Sequence, residues 1–278
     1  MEPSDLLFDT PAPPFVATAR QIANRNRALV RQSFPVHLAR HEALLDGLYT
    51  FECAHVWTFR LSRQHPTPIQ QLLFSASHKN LIALLGILEN VQAGLLGPVR
   101  PLFRQVLEAQ LLAKFAAVRN DVDLAGRWSR QERLSVPQVV LSNMYAPQAQ
   151  VLRTMWQSSH LFVHSSTGSQ QVSLSAEENI DRIAHDLTVM GMLLHTQVHL
   201  VTQHTFSRSE RHLAATYDQG TDISALRREM RAHLRIDLRE HGPDVRAFIR
   251  TFRSSWRGKD GTPFAERRRR PQSQAPET

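Results

Sequence analysis

Residues 68–118 constrain the fold more than any other part of the chain. Two long, mostly apolar runs, IQQLLFSASHKNLIALLGILENVQAGLLG and GPVRPLFRQVLEAQLLAKFAAV, share Gly97, with Gly94 just before it. Their apolar positions recur every three to four residues, the period of a helix buried along one side. Helices joined by so short a break pack as antiparallel neighbours, so the rest of the chain must cover this pair. The second run is expected to be the central helix, over 97–118, with Pro98 and Pro101 in its first turn. It carries Arg100, Arg104 and Glu108 at successive four-residue steps, which places the three on one face. Charges on a central helix have to be paired, with each other or with a neighbouring helix, because a lone buried charge is too costly.

Helical periodicity extends to both sides. Residues 15–34 and 36–64 read as two helices parted by Pro35, the second stopped by His65, Pro66 and Pro68. Asn120, Asp121 and Asp123 break the chain and cap a poorer segment over 124–134, and Pro137 and Pro147 bound an irregular stretch. A helix is expected at 148–164 and another at 175–206, opened by a capping box of Ser175 and Glu178. Two amphipathic Arg-rich helices follow near 222–240 and 244–256. The expected class is all-α: a disordered lead-in over 1–14, a bundle of five or six long helices over 15–206, and a linker over 207–220. A small basic helical appendage over 221–257 and a disordered Arg-rich tail over 258–278 complete it. On this reading, truncation near residue 220 leaves the bundle folded.

Charge is unevenly placed along the 278 residues. Residues 1–220 hold 19 Lys and Arg against 17 Asp and Glu, whereas 221–270 hold 14 against 7. Local cation density is what draws polyanions, so nucleic acid bound through residues 221–270 is the expected partner, and a homodimer is left open. A second source of the excess is composition: all basic residues but Lys79, Lys114 and Lys259 are Arg, a skew that a biased genome produces without any partner. Cys53 is alone, which excludes an internal disulfide framework and a cysteine metal cluster. The longest apolar run, 81–88, is far shorter than the roughly 20 residues that span a bilayer. The amino terminus has acidic residues and prolines where a signal peptide needs basic and then apolar ones. A cytoplasmic protein without a membrane partner is expected.

Histidine spacing is the other unusual feature. His37 and His41, His160 and His164, and His195 and His199 are each four residues apart, which stacks two rings on one helix face. Two such pairs facing each other could bind a transition metal. No Glu follows the first His of any pair, and Glu52 with His55 makes a single Glu-x-x-His where a di-iron bundle needs two, so no metal and no cofactor is expected. His160 and His164 lie among Ser158, Ser159, Ser165 and Ser166. A histidine with nearby hydroxyls and an Arg/Glu pair across a bundle is a workable acid/base set. Neither a GxSxG elbow nor a phosphate-cradling glycine loop is present.

Together these residues carry a resemblance. An apolar helix, a glycine turn, an Arg-x-x-x-Glu helix and a later helix ending in Ser-x-x-x-x-His resemble a bacterial all-helical family of unknown function, over residues 70–205. The matching positions are Arg104 and Glu108, then Ser158 or Ser159 with His164. More distantly, the organisation is similar to HEPN helical bundles, many of which are metal-independent ribonucleases of defence systems that use Arg-x(4–6)-His. Arg60 to His65 has that spacing, at a helix end before Pro66. The resemblance to HEPN bundles implies a metal-independent ribonuclease or nucleotide-processing protein of a defence or stress system. From the chemistry of the residues, His164 would act as acid/base and Arg104 would hold phosphate, with Glu108 in the same candidate site. The alternative is a non-catalytic nucleic-acid or protein-binding scaffold in which Arg104 and Glu108 only lock the bundle.

Overall fold

The computed structural model describes residues 15–62, 65–161, 175–205, 223–237 and 241–264. The chain is all-α. Helices run in the order α1 (Phe15–Ser33), α2 (Pro35–Ser62), α3 (Pro68–Gln92), α4 (Leu96–Arg119), α5 (Val122–Ser129), α6 (Val136–Val139), α7 (Ala146–Leu161), α8 (Ile180–Leu200), α9 (Ile223–Asp237) and α10 (Pro243–Arg253). Among the described residues only two isolated bridges have β character, Met144 with Gly258 and Arg257 with Pro263.

Helices α3 and α4 form the most extensive pair, as their shared glycine turn requires. Helix α3 starts cleanly because Thr67 accepts from the Gln70 amide while the Gln70 side chain accepts from Thr67 N–H, with Pro68 next in line. The turn to α4 needs glycine at position 94 for two reasons. Its φ is +73°, and a Cβ there would sit 2.5 Å from Asn26 Nδ2. Buried Asn26 uses that amide to donate to the Ala93 carbonyl at 3.0 Å, and its Oδ1 accepts from Ala176 N–H at 3.1 Å. One side chain of α1 thereby ties the α3–α4 turn to the segment leading into α8. Helix α4 begins at Leu96, so Pro101 lies in the second turn rather than the first, where it removes the donor that Gly97 C=O would otherwise meet. At the far end Asn120 takes a left-handed conformation, and Asp121 caps α5 by accepting from Leu124 N–H at 3.0 Å.

Helix α8 does not open at the Ser175–Glu178 box: residues 176–179 form a turn, and the helix starts at Ile180 after Asn179, which makes no side-chain cap bond. The basic C-terminal helices pack their apolar faces into the core. Met230 of α9 is buried on Gly47 of α2, 3.0 Å from where a Cβ would stand. Phe248, Ile249 and Phe252 of α10 join Trp256 and Phe264 in the central apolar cluster. Residues 258–264, placed by the sequence in the tail, fold back on this cluster through Gly258 N–H to Thr262 C=O at 2.9 Å and Phe264 N–H to Trp256 C=O at 3.0 Å. Residues 1–14, 207–220 and 265–278 lie outside the described residues.

Helix α3 is long and apolar enough by composition to cross a membrane. It is the core helix of the bundle, with Leu72, Leu73, Leu84, Ile87 and Leu88 all buried. Running through that core is a polar seam. Ser77 Oγ donates to Glu52 Oε1 at 3.0 Å and accepts from Gln197 Nε2 at 3.1 Å. Gln197 Oε1 accepts from Asn80 at 2.9 Å and from Gln110 at 3.1 Å, and Thr196 Oγ1 donates to Gln110 Oε1 at 2.6 Å. Groups buried in low dielectric must be satisfied in this way, so the seam fixes the register of α2, α3, α4 and α8 relative to one another.

Candidate functional site

The charges that the sequence singles out on α4 do pair. Arg104 Nε donates to Glu108 Oε1 at 2.9 Å, Trp156 Nε1 of α7 donates to the same oxygen at 3.0 Å, and the Arg104 guanidinium lies 5.6 Å from the Trp156 ring centre. The side chains keep 24% and 31% of their exposure. An ion pair so open to water stabilises by about 0.2–1 kcal/mol rather than the several kcal/mol of a buried one. It borders a cleft of about 620 Å³ shared by α3, α4 and α5, where Lys79, Arg104, Glu108 and Glu132 give charges of both signs. Glu132 is itself bonded to Arg127 and Arg130 at 2.9 Å each. His164 lies outside the described residues, as do Ser165 and Ser166; Ser158 and Ser159 are on α7 and line a different cavity.

Among the described residues the histidine pairs do not gather into one cluster. His41 is buried in α2 and His37 is half-buried beside it. His195 packs its ring 5.6 Å from His241, while His199 faces His204 and Phe252, each at 6.0 Å. Glu52 spends its oxygens on Ser77 and on His78 Nδ1, the latter at 3.1 Å, and burial raises its pKa against those bonds. Among the described residues no three His, Cys, Asp or Glu side chains gather as metal ligands. Arg60 borders a hollow of about 310 Å³ with His55, Pro66, Gln70 and Phe74, and His65 is not among its lining residues.

A second surface concentrates positive charge. Helix α10 has Arg246, Arg250 and Arg253 at steps of four and three, on one face, because its opposite face is committed to the core through Phe248, Ile249 and Phe252. The three arginines meet His199 and Gln203 across a groove of about 640 Å³. Gln203 belongs to a π-helical turn, Val201–Thr205, that closes α8; such turns interrupt the regular ladder and re-aim side chains. The groove runs into a hollow of about 350 Å³ bordered by Lys114, His204 and Trp256. Among the described residues no carboxylate lines either space, and none of the three arginines makes an ion pair.

Lys114 is the functional candidate that sequence reasoning missed. Its ammonium is held 4.8 Å from the Phe252 ring centre and 4.6 Å from that of Trp256, and it donates to the Ser254 carbonyl at 3.1 Å. Burial pushes its pKa down to about 7. Burial, with Lys114 as the next contributor, also pushes His199 down to about 3 and His204 to about 4, so both imidazoles are neutral at pH 7 and the groove draws its charge from arginine. The signal for Lys114 is in the sequence, as a lysine inside the apolar run LLAKFAAV of the central helix.

No protein-family model matches the chain, and neither a curated protein nor a solved structure shows significant similarity to it.

Proposed function

We propose that this chain is a non-catalytic nucleic-acid-binding protein that holds backbone phosphates in the groove between the end of α8 and helix α10. The observation that carries this reading is the trio Arg246, Arg250 and Arg253, aligned on one face over a groove that no carboxylate lines among the described residues. Guanidinium forks match phosphate oxygens in pairs, and Gln203 adds a neutral donor beside them. The cleft at Arg104 is of mixed charge, because Glu108 and Glu132 share it with Lys79 and Arg104.

The test is fluorescence anisotropy of a labelled single-stranded RNA across a salt series, comparing the full chain with the triple variant R246A/R250A/R253A. The buried face of α10 is untouched by these changes, so the fold is kept. Affinity is expected to fall at least tenfold and the salt slope by about 2, given roughly 0.7 per phosphate contact on single strands. An unchanged slope in the triple variant, or no binding by the full chain at low salt, removes the proposal.

A second reading keeps the chain as a metal-independent ribonuclease of a bacterial defence or stress system, with His164 as acid/base and Arg104 as phosphate holder. The open cleft of about 620 Å³ beside Arg104 and Glu108 favours it. Cleavage of RNA in the presence of a chelator, abolished by His164→Ala and by Arg104→Ala, would put this reading first.

A further inference from the structure

A cavity of about 320 Å³ lies between α4, α7, α8 and α10, apart from both the Arg104 cleft and the arginine groove. Its walls are mostly apolar, with Phe103, Leu107, Met155, Val189, Met192 and Leu193 contributing. The described polar residues of the lining are Arg100, Ser158, Ser159, His185, Asp186 and Asp244. An apolar hollow of this size with a few polar groups is the usual form of a small-molecule site.

The polar lining is rich in acceptors. Ser158 Oγ donates its proton to the Thr154 carbonyl at 2.9 Å, and Ser159 Oγ donates to that of Trp156 at 2.6 Å, so both hydroxyls have lone pairs left rather than protons. Asp186 is 2% exposed, and its Oδ2 is buried without a hydrogen-bond partner among the described residues. Leaving a carboxylate oxygen in that condition costs free energy, and the same side chain borders the cavity. Burial pushes the Asp186 carboxyl up to about 6, with Arg100 and Arg182 pulling the other way. Burial and Arg100 hold His185 below its ordinary value and therefore neutral at pH 7. Among the described lining residues the charges are then two carboxylates against one guanidinium, and Arg100 lies in the field of Asp186, as does Arg182 from outside the lining.

We infer that this cavity binds a small apolar primary amine, its hydrocarbon body among the α4, α7 and α8 side chains and its ammonium head on Asp186. An apolar carboxylic acid would meet the same two carboxylates and only one cation. A neutral hydrocarbon would fill the space and leave Asp186 as it is. This assignment is independent of the nucleic-acid reading, since no arginine of the groove lines the cavity.

The experiment uses the full chain at pH 7.5 with three probes of nearly equal shape: phenethylamine, ethylbenzene and 3-phenylpropionate. Calorimetry or ligand titration of methyl NMR signals gives the three affinities for the wild type and for Asp186→Asn, whose thermal unfolding is measured alongside. Phenethylamine is expected to saturate, at least tenfold tighter than either of the others. The Asn variant is expected to lose at least tenfold for the amine with ethylbenzene unchanged. Absence of saturable amine binding, acid binding as tight as the amine, or amine affinity indifferent to Asp186→Asn overturns the assignment. Should the variant fail to fold, the wild-type spectra decide. Amine-induced shifts at the Leu107, Met192 and Leu193 methyls support the site, and shifts confined to other methyls defeat it.

Discussion

At the scale of single residues, Lys114 shows how one side chain can be costly in its own fold. Its pKa falls from the ordinary 10.5 to about 7 because burial disfavours the ammonium. The sign follows directly. Below pH 7 the amine is charged both folded and unfolded, so the whole cost of burying a cation is present. As pH rises from 7 to 10.5 the folded chain releases its proton first and the cost disappears. The aromatic faces of Phe252 and Trp256 and the Ser254 carbonyl offset part of it. Lys114→Met, which fills the same space without charge, is expected to stabilise the protein by about 1–3 kcal/mol at pH 6. The gain should shrink toward zero by pH 10. Urea unfolding at both values checks this, and a variant less stable than wild type at pH 6 would mean that the cage and the hydrogen bond outweigh desolvation.

At the scale of elements, α10 and the turn after it complete the core. Phe248, Ile249, Phe252 and Trp256 are each at most 1% exposed, and Phe264 packs edge-on against Phe115 at 5.7 Å. Fully burying one such side chain contributes about 1.5–3 kcal/mol. Four of them therefore approach the whole stability of an ordinary domain, about 5–15 kcal/mol. A chain ending at residue 240 is expected to lose cooperative unfolding and to bind a hydrophobic dye, read by circular dichroism and dye fluorescence. A sharp transition in the truncated chain, near that of the full chain, would return α10 to the status of an appendage.

At the scale of the whole molecule, buried titratable groups set the acid limb of stability. His199 and His204 have folded pKa values of about 3 and 4, below the ordinary 6.5, so their neutral forms favour folding above pH 6.5 and that contribution is lost as pH falls toward 4. By pH 5 the loss is about 2 kcal/mol for each. Asp186, raised to about 6 by burial, acts in the opposite direction: its folded form takes up a proton before its unfolded form, which returns about 1 kcal/mol by pH 5. Net destabilisation of a few kcal/mol between pH 7 and pH 5 is expected from these three groups, measured by denaturant titration. His199→Gln with His204→Gln should flatten that limb. A double variant with the wild-type acid slope would show that other groups control it.

The sequence by itself determined the elements. Uninterrupted helical periodicity, proline and glycine punctuation and the Asn120–Asp121 cap are local signals, and the helices follow them to within a few residues at most of their ends. It also placed Arg104 and Glu108 on one face within reach of each other, and of the two partners it left open, each other or a neighbouring helix, the structure shows the first, with Trp156 added. The start of α8 escaped it: the Ser175–Glu178 pattern is a local cap signal, yet Ala176 N–H is bonded to Asn26, 150 residues away, in a turn that delays the helix. Only the tertiary structure decided which side of each helix is buried against which partner. That choice drew the basic C-terminal helices into the core, set Lys114 between two aromatic rings and left Asp186 beside an apolar cavity. Those outcomes depend on contacts between residues far apart in the chain, and no periodicity within one helix encodes its neighbour.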